Sequence, residues 1–259
     1  MRDRLIDFER VLNFRDFGGY DTAEGGRLAR GKLYRSASFH DASEADIARL
    51  EALGVRFLVD LRRPEERKHE PNLWPGQGAR SIFNDEGPDG LLPPHLVALL
   101  QDELTAESVA NYMRKLYRAF AFDPRHIFLY RAWFENLLAA DGAGIIHCAA
   151  GKDRTGLGCA LTLLALGVDE AAVFADYEFT NQAVNIEARL PSIQARMEER
   201  LARKLDPAAL RPMLGVAPDY LRAALDSIEA KYGSVNAYLD DVLGIGASER
   251  ESLRQRLIA

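Results

Sequence analysis

Ile145-Ile146-His147-Cys148-Ala149-Ala150-Gly151-Lys152-Asp153-Arg154-Thr155-Gly156-Leu157 runs from a short apolar segment, through small residues, into a second apolar segment. The first four residues read as a short buried strand ending at a thiol. From Leu157 to Leu164 the chain is apolar on every side, as a buried helix is. Ala149, Ala150 and Gly151 are too small to fill the turn between them, so the backbone N–H groups there are free to point inward. Such a turn is an anion nest, and the N-terminus of the following helix adds its positive dipole end.

The side chains match that reading. An ordinary cysteine thiol titrates near ~8.5, so a nucleophilic Cys148 needs the inward N–H groups, the helix dipole and a nearby cation. Arg154 supplies the cation and can hold two phosphate oxygens at once, which a lysine cannot. Cys148, Arg154 and Asp153 are the catalytic candidates, and Ala149, Ala150, Gly151, Lys152, Asp153 and Arg154 the phosphate-binding ones. His147 is expected to orient the loop through a hydrogen bond, and the Thr155 hydroxyl to donate to a departing thiolate. The competing reading makes Cys148 a small buried hydrophobe and Arg154 a surface residue. It leaves Gly151, His147 and Thr155 without a role.

Outward from this segment, the first half alternates strand-like and helix-like stretches. Ser43 caps a helix with Ile47, Leu50 and Leu53 on one face, Gly54 ends it, and Val55 to Leu61 reads as a strand. Pro64 makes Arg62 onward a loop. Residues 84–94 read as a long mobile loop, followed by helices near 106–121 and 124–139, the second opened by Asp123-Pro124. Gly142 and Gly144 break the pattern ahead of Ile145. Beyond about residue 169 the chain reads as helical. Helices near 192–205 and 218–231 are punctuated by Pro191, Pro207, Pro212 and Pro218, and Ser248 to Glu251 has capping-box spacing. The alternation predicts an α/β fold with a mainly parallel central sheet flanked by helices, and a helical C-terminal portion.

Composition narrows the function classes. The 259 residues are 47% hydrophobic and 28% charged, ordinary for a globular chain, and the net charge of −6 with no dense basic tract argues against nucleic-acid binding. The N-terminal residues carry no apolar run of signal-peptide length and no stretch approaches a membrane span, so no stable membrane insertion is expected and a cytoplasmic site is the default, with export by another route left open. Two cysteines make no disulfide framework, and Cys159 reads as core. No His/Asp/Glu cluster has metal-ligand spacing, so neither metal nor cofactor is expected.

His147 to Gly156 resembles the signature loop of the protein tyrosine phosphatase superfamily. The Lys152-Asp153 pair is similar to its atypical bacterial and fungal branch, several members of which also act on phosphoserine, phosphothreonine or phosphoinositides. Asn13-Phe14-Arg15-Asp16-Phe17-Gly18-Gly19, Leu33-Tyr34-Arg35-Ser36, and Asp60-Leu61-Arg62 with Glu65 extend the resemblance. It implies one phosphatase domain over residues 1–259, with 180–232 either a helical lid or outer-layer packing. The implied chemistry is phosphomonoester hydrolysis through a phosphocysteine, with a phosphorylated protein as substrate and inorganic phosphate left in the loop. A mainly phosphoinositide phosphatase, favoured by extra charge from Lys152, and a non-catalytic phosphate-binding module are the alternatives. Many relatives place a general acid on a Trp-Pro-Asp loop, but here Trp74-Pro75 is followed by Gly76. Asp153, Asp60 and Asp85 are the candidates for that role. Arg15-Asp16 and Arg35 read as a structural ion-pair set bracing the loops, with Asp60 in support.

Overall fold

The computed structural model of the protein describes residues 2–74, 78–86 and 104–259. In chain order its strands are β1 (Arg15–Asp16), β2 (Leu33–Ser36), β3 (Val55–Asp60), β4 (Arg80–Ile82) and β5 (Ala143–His147). They form one sheet in the order β1-β2-β5-β3-β4, antiparallel only between β1 and β2. The expected α/β fold with a mainly parallel sheet is what forms.

Residues alternate between the two faces of that sheet, and both faces are covered. Leu33, Phe57, Val59 and Ile146 point into a core shared with the C-terminal helices, while Tyr34, Leu58 and Ile145 pack with Phe14, Phe39 and Trp74 on the other side. A strand covered on both faces is apolar throughout rather than alternately polar, as Ile145-Ile146 showed. β5 begins earlier than the glycines suggested. Gly144 lies inside it because a Cβ there would sit 2.3 Å from the Phe57 ring on the neighbouring strand.

The helices are α1 (Glu44–Ala52), α2 (Pro64–His69), α3 (Ala106–Phe120), α4 (Pro124–Ala139), α5 (Asp153–Ala165) and α6 (Glu170–Glu178). They continue with α7 (Thr180–Val184), α8 (Ile186–Leu201), α9 (Pro207–Leu214), α10 (Pro218–Tyr232), α11 (Val235–Asp241) and α12 (Ala247–Leu257). Ser43 caps α1 with a reciprocal capping box, and Asp123 caps α4. The expected loop after Arg62 is instead α2, because Pro64 occupies the first helical position, where a missing N–H costs nothing. Pro191 and Pro212 do not punctuate helices but lie inside α8 and α9. At α12 the cap is Gly246, and the Ser248 hydroxyl, already inside the helix, donates to its neighbour Glu249. Residues 87–94 of the acidic loop, and Pro75-Gly76, lie outside the described residues. No described helix is long and apolar enough to cross a membrane.

Candidate active site

β5 delivers Cys148 to the C-terminal edge of the sheet, and α5 starts at Asp153, so residues 148–152 must turn tightly between them. Donors from three other segments set the direction of that turn. The Ser38 N–H donates to the Ala149 carbonyl at 3.1 Å. The Asn13 amide donates to the carbonyls of Ala150 at 3.2 Å and Gly151 at 2.8 Å, and Arg35 Nη2 adds a second bond to Gly151 at 3.0 Å. The Lys152 carbonyl takes the first helical bond, from Gly156 N–H at 2.6 Å. With the carbonyls of 149–152 tied outward, the N–H groups of 150–153 turn the other way across each planar peptide, and the N–H groups of 149–155 meet no backbone acceptor among the described residues. Gly151 makes the turn at φ +64, where a Cβ would also lie 2.3 Å from the Ser36 carbonyl oxygen.

Cys148 is 2% exposed at the floor of this cradle. Thr155 Oγ1 is buried with no hydrogen-bond partner among the described residues. Cys159 faces the core, and burial pushes its thiol up to about 12. It is chemically quiet, as expected of a packing residue.

His147, Asp60 and Arg62 stabilise the strand ends below the loop. His147 Nδ1 lies 3.2 Å from the Cys148 carbonyl and its Nε2 lies 3.3 Å from the Asn72 amide. A carbonyl only accepts, so Nδ1 carries a proton, while Nε2 also lies 3.5 Å from Asp60 Oδ2. Burial lowers its pKa against the pull of the Asp60 charge. Asp60 is gripped by Arg62 through Nε at 2.9 Å and Nη2 at 2.7 Å. Burial alone would raise its pKa, but His147 and the Arg62 charge hold it below the usual carboxylate range. Asp60 is therefore an ionised clamp rather than a proton donor in this arrangement. Asp85, the third acid candidate, pairs with Arg67 on an exposed edge.

Arg154 reaches back over the turn to α2. Its Nη1 and Nη2 bind Glu66 side by side at 2.6 and 2.7 Å, and Nη1 also donates to the Leu61 carbonyl at 3.1 Å. Burial disfavours both charges, yet each offsets the other: Arg154 is raised above its ordinary value and Glu66 is pulled down to about 2. Asp153 lies beside it, its Oδ1 accepting from the Tyr117 hydroxyl at 2.7 Å. The Lys152 ammonium is fully engaged, donating to the carbonyls of Met213 at 2.7 Å and Gly215 at 3.1 Å and lying 3.5 Å from Asp153. The extra positive charge expected from this side chain at the phosphate site is thus spent on the α9 end.

Arg15 and Arg35 do form a buried ionic brace, but its acid is Asp176 on α6, not Asp16. Arg35 Nη1 binds Asp176 at 2.7 Å and Arg15 Nε lies at 3.5 Å, while Asp16 accepts the backbone N–H groups of Gly18 and Gly31. Asp176, Tyr177, Tyr117 and Glu66 escaped the sequence reading. Glu66 carried a signal, since Arg-Pro-Glu-Glu is a helix start with its third residue acidic. Asp176 and Tyr177, in mid-helix, carried none.

A thiol, a guanidinium and a ring of unpaired N–H groups at a strand-to-helix turn define an enzyme of the phosphoryl-transfer kind. Residues 6–259 match the tyrosine phosphatase family, and the chain belongs to it. A protein of Cupriavidus necator named as a tyrosine-protein phosphatase is 33% identical over 94% of this chain and 86% of its own. The triple specificity protein phosphatase PtpB of Mycobacterium tuberculosis is 31% identical over 95% and 96%. A tyrosine-protein phosphatase of Nostoc commune is 28% identical over 86% and 73%.

Proposed function

We propose that the chain hydrolyses phosphomonoesters of proteins, phosphotyrosine foremost, through a phosphocysteine on Cys148. The observation that carries this reading is the outward tethering of the carbonyls of 149–152, which leaves inward N–H groups above the buried thiol. The N–H groups and Arg154 hold the three non-bridging oxygens. The Cys148 thiolate attacks phosphorus, an S–P bond forms, the ester P–O bond breaks, and Asp153 gives its proton to the leaving oxygen. Water then attacks the phosphocysteine, its proton passes to the Asp153 carboxylate, and phosphate leaves as the Thr155 hydroxyl donates to the returning thiolate. His147 and Asp60 act through the position of the loop.

An acid within the loop also serves poorer leaving groups, so phosphoserine and phosphothreonine fall within reach, in keeping with the name of the mycobacterial relative. Residues 1–259 then act as one catalytic domain at a cytoplasmic site, with 180–232 as a cover whose α9 end is held by Lys152. The test is Cys148→Ser. A serine hydroxyl stays protonated where a thiol ionises, so turnover of p-nitrophenyl phosphate should vanish while a phosphotyrosine peptide still binds in calorimetry. Residual turnover within about tenfold of the parent would overturn the thiolate mechanism.

A further inference from the structure

We propose that Tyr117 and Tyr177 form a two-phenol donor chain that positions Asp153 for proton transfer, making both tyrosines positioning residues of the reaction. The inference rests on the reading of Asp153 as the acid. The Tyr177 hydroxyl donates to the Tyr117 hydroxyl at 2.7 Å, and that hydroxyl donates to Asp153 Oδ1 at 2.7 Å. Tyr117 comes from α3 and Tyr177 from α6, so two helices distant in sequence meet at one carboxyl oxygen.

Asp153 is the first helical residue, one past the N-cap Lys152, so its carboxyl does not cap α5, and Oδ1 is taken by a phenol instead. With Oδ1 accepting from the phenol and Oδ2 3.5 Å from the Lys152 ammonium, the carboxyl is fixed in one orientation, which is what an acid aligned on a leaving group needs. Tyr117 is fully buried and Tyr177 is 1% exposed. Burial holds both phenols well above their ordinary values, so they remain donors. A hydroxyl that accepts one hydrogen bond donates a stronger one, so Tyr177 reinforces Tyr117.

The packing around the chain is matched to it. A Cβ on Gly156 would come within 2.9 Å of two Tyr177 ring carbons, so α5 lacks a side chain where that ring rests. The neighbouring Asp176 binds Arg35, which binds the Gly151 carbonyl. One turn of α6 thereby registers against both ends of the loop.

The experiment compares kcat and KM on phenyl phosphate, whose leaving group is tyrosine-like, and on p-nitrophenyl phosphate, which departs without a proton. Tyr117→Phe should lower kcat on phenyl phosphate about tenfold and on p-nitrophenyl phosphate less than about twofold, with KM unchanged. Tyr177→Phe should show the same selectivity at about threefold. In an Asp153→Asn background, Tyr117→Phe should cost nothing further, because the group it positions is gone. An equal loss on both substrates, or a full loss persisting in that background, overturns the inference. If Tyr117→Phe does not fold, Tyr177→Phe decides by the same selectivity. If Asp153→Asn alone slows both substrates equally, the acid assignment falls and takes this inference with it. If Asp153→Asn is selective and the tyrosine variants are not, only the inference is wrong.

Discussion

Two arginine–carboxylate systems hold the catalytic turn, and they differ in what surrounds them. Behind the loop, Arg35 and Asp176 are 0% and 2% exposed, and Arg15, Tyr20 and Thr180 bind the same cluster. At the mouth, Arg154 and Glu66 are 16% and 18% exposed, and among the described residues the guanidinium has one further protein bond, to the Leu61 carbonyl. The rear pair is sealed and cannot exchange its partner. The front pair is open on one side, where the proposed reaction has phosphate meet the guanidinium that Glu66 orients. One kind of ion pair thus serves as a brace where burial is complete and, in that proposal, as a poised ligand where it is not.

Asp176→Asn should break the brace and have the largest effect. It leaves Arg15 and Arg35 buried without a countercharge, a loss of about 3–5 kcal/mol in urea denaturation. A loss below about 1 kcal/mol would mean the rear pair is no more than the front one. Arg154→Lys tests the other half of the contrast. Without the two-pronged contact, kcat on p-nitrophenyl phosphate should fall about 10²- to 10³-fold while stability changes by about 1 kcal/mol or less. A stability loss matching that of Asp176→Asn would make the mouth pair a brace as well.

Glu66→Gln should act most gently, since Arg154 keeps its Leu61 bond. We expect kcat/KM within about tenfold of the parent, with the clearer change in acid stability. Glu66 is lowered from 4.5 to about 2 in the folded protein, so its contribution is complete above the unfolded value and lost as pH falls from there towards 2. The Gln variant should therefore lose less stability than the parent between pH 4.5 and 2, followed by equilibrium denaturation. Equal slopes would show that the pair contributes nothing to folding.

The strand-to-helix turn proposed as the catalytic loop was legible because its features are local. Cys148, Gly151, Arg154 and Thr155 lie within one strand-to-helix turn, and the helix dipole, small side chains and bidentate guanidinium act over that short span. The Asn13 and Arg35 segments stood out as motifs, but their targets, the carbonyls of Ala150 and Gly151, did not. A hydrogen bond spanning more than a hundred residues leaves no periodic trace. Misplaced boundaries at Pro64, Pro191 and Ser248 have a different origin. Proline is tolerated in a first turn, and a serine near a helix start caps it only if the backbone begins there.

By itself the sequence determined the α/β alternation, the apolar strand that ends at a thiol, and the tight turn of small residues that leads through Arg154 into a buried helix. Each follows from steric size, periodicity and charge within a few residues. Tertiary structure alone decided which acid neutralises Arg15 and Arg35, that Glu66 rather than Glu65 meets Arg154, that Lys152 turns to α9 instead of the phosphate, and that two phenols reach Asp153. Those partners are selected by packing, because a buried charge or hydroxyl must find its counterpart wherever the folded chain brings one within about 3 Å.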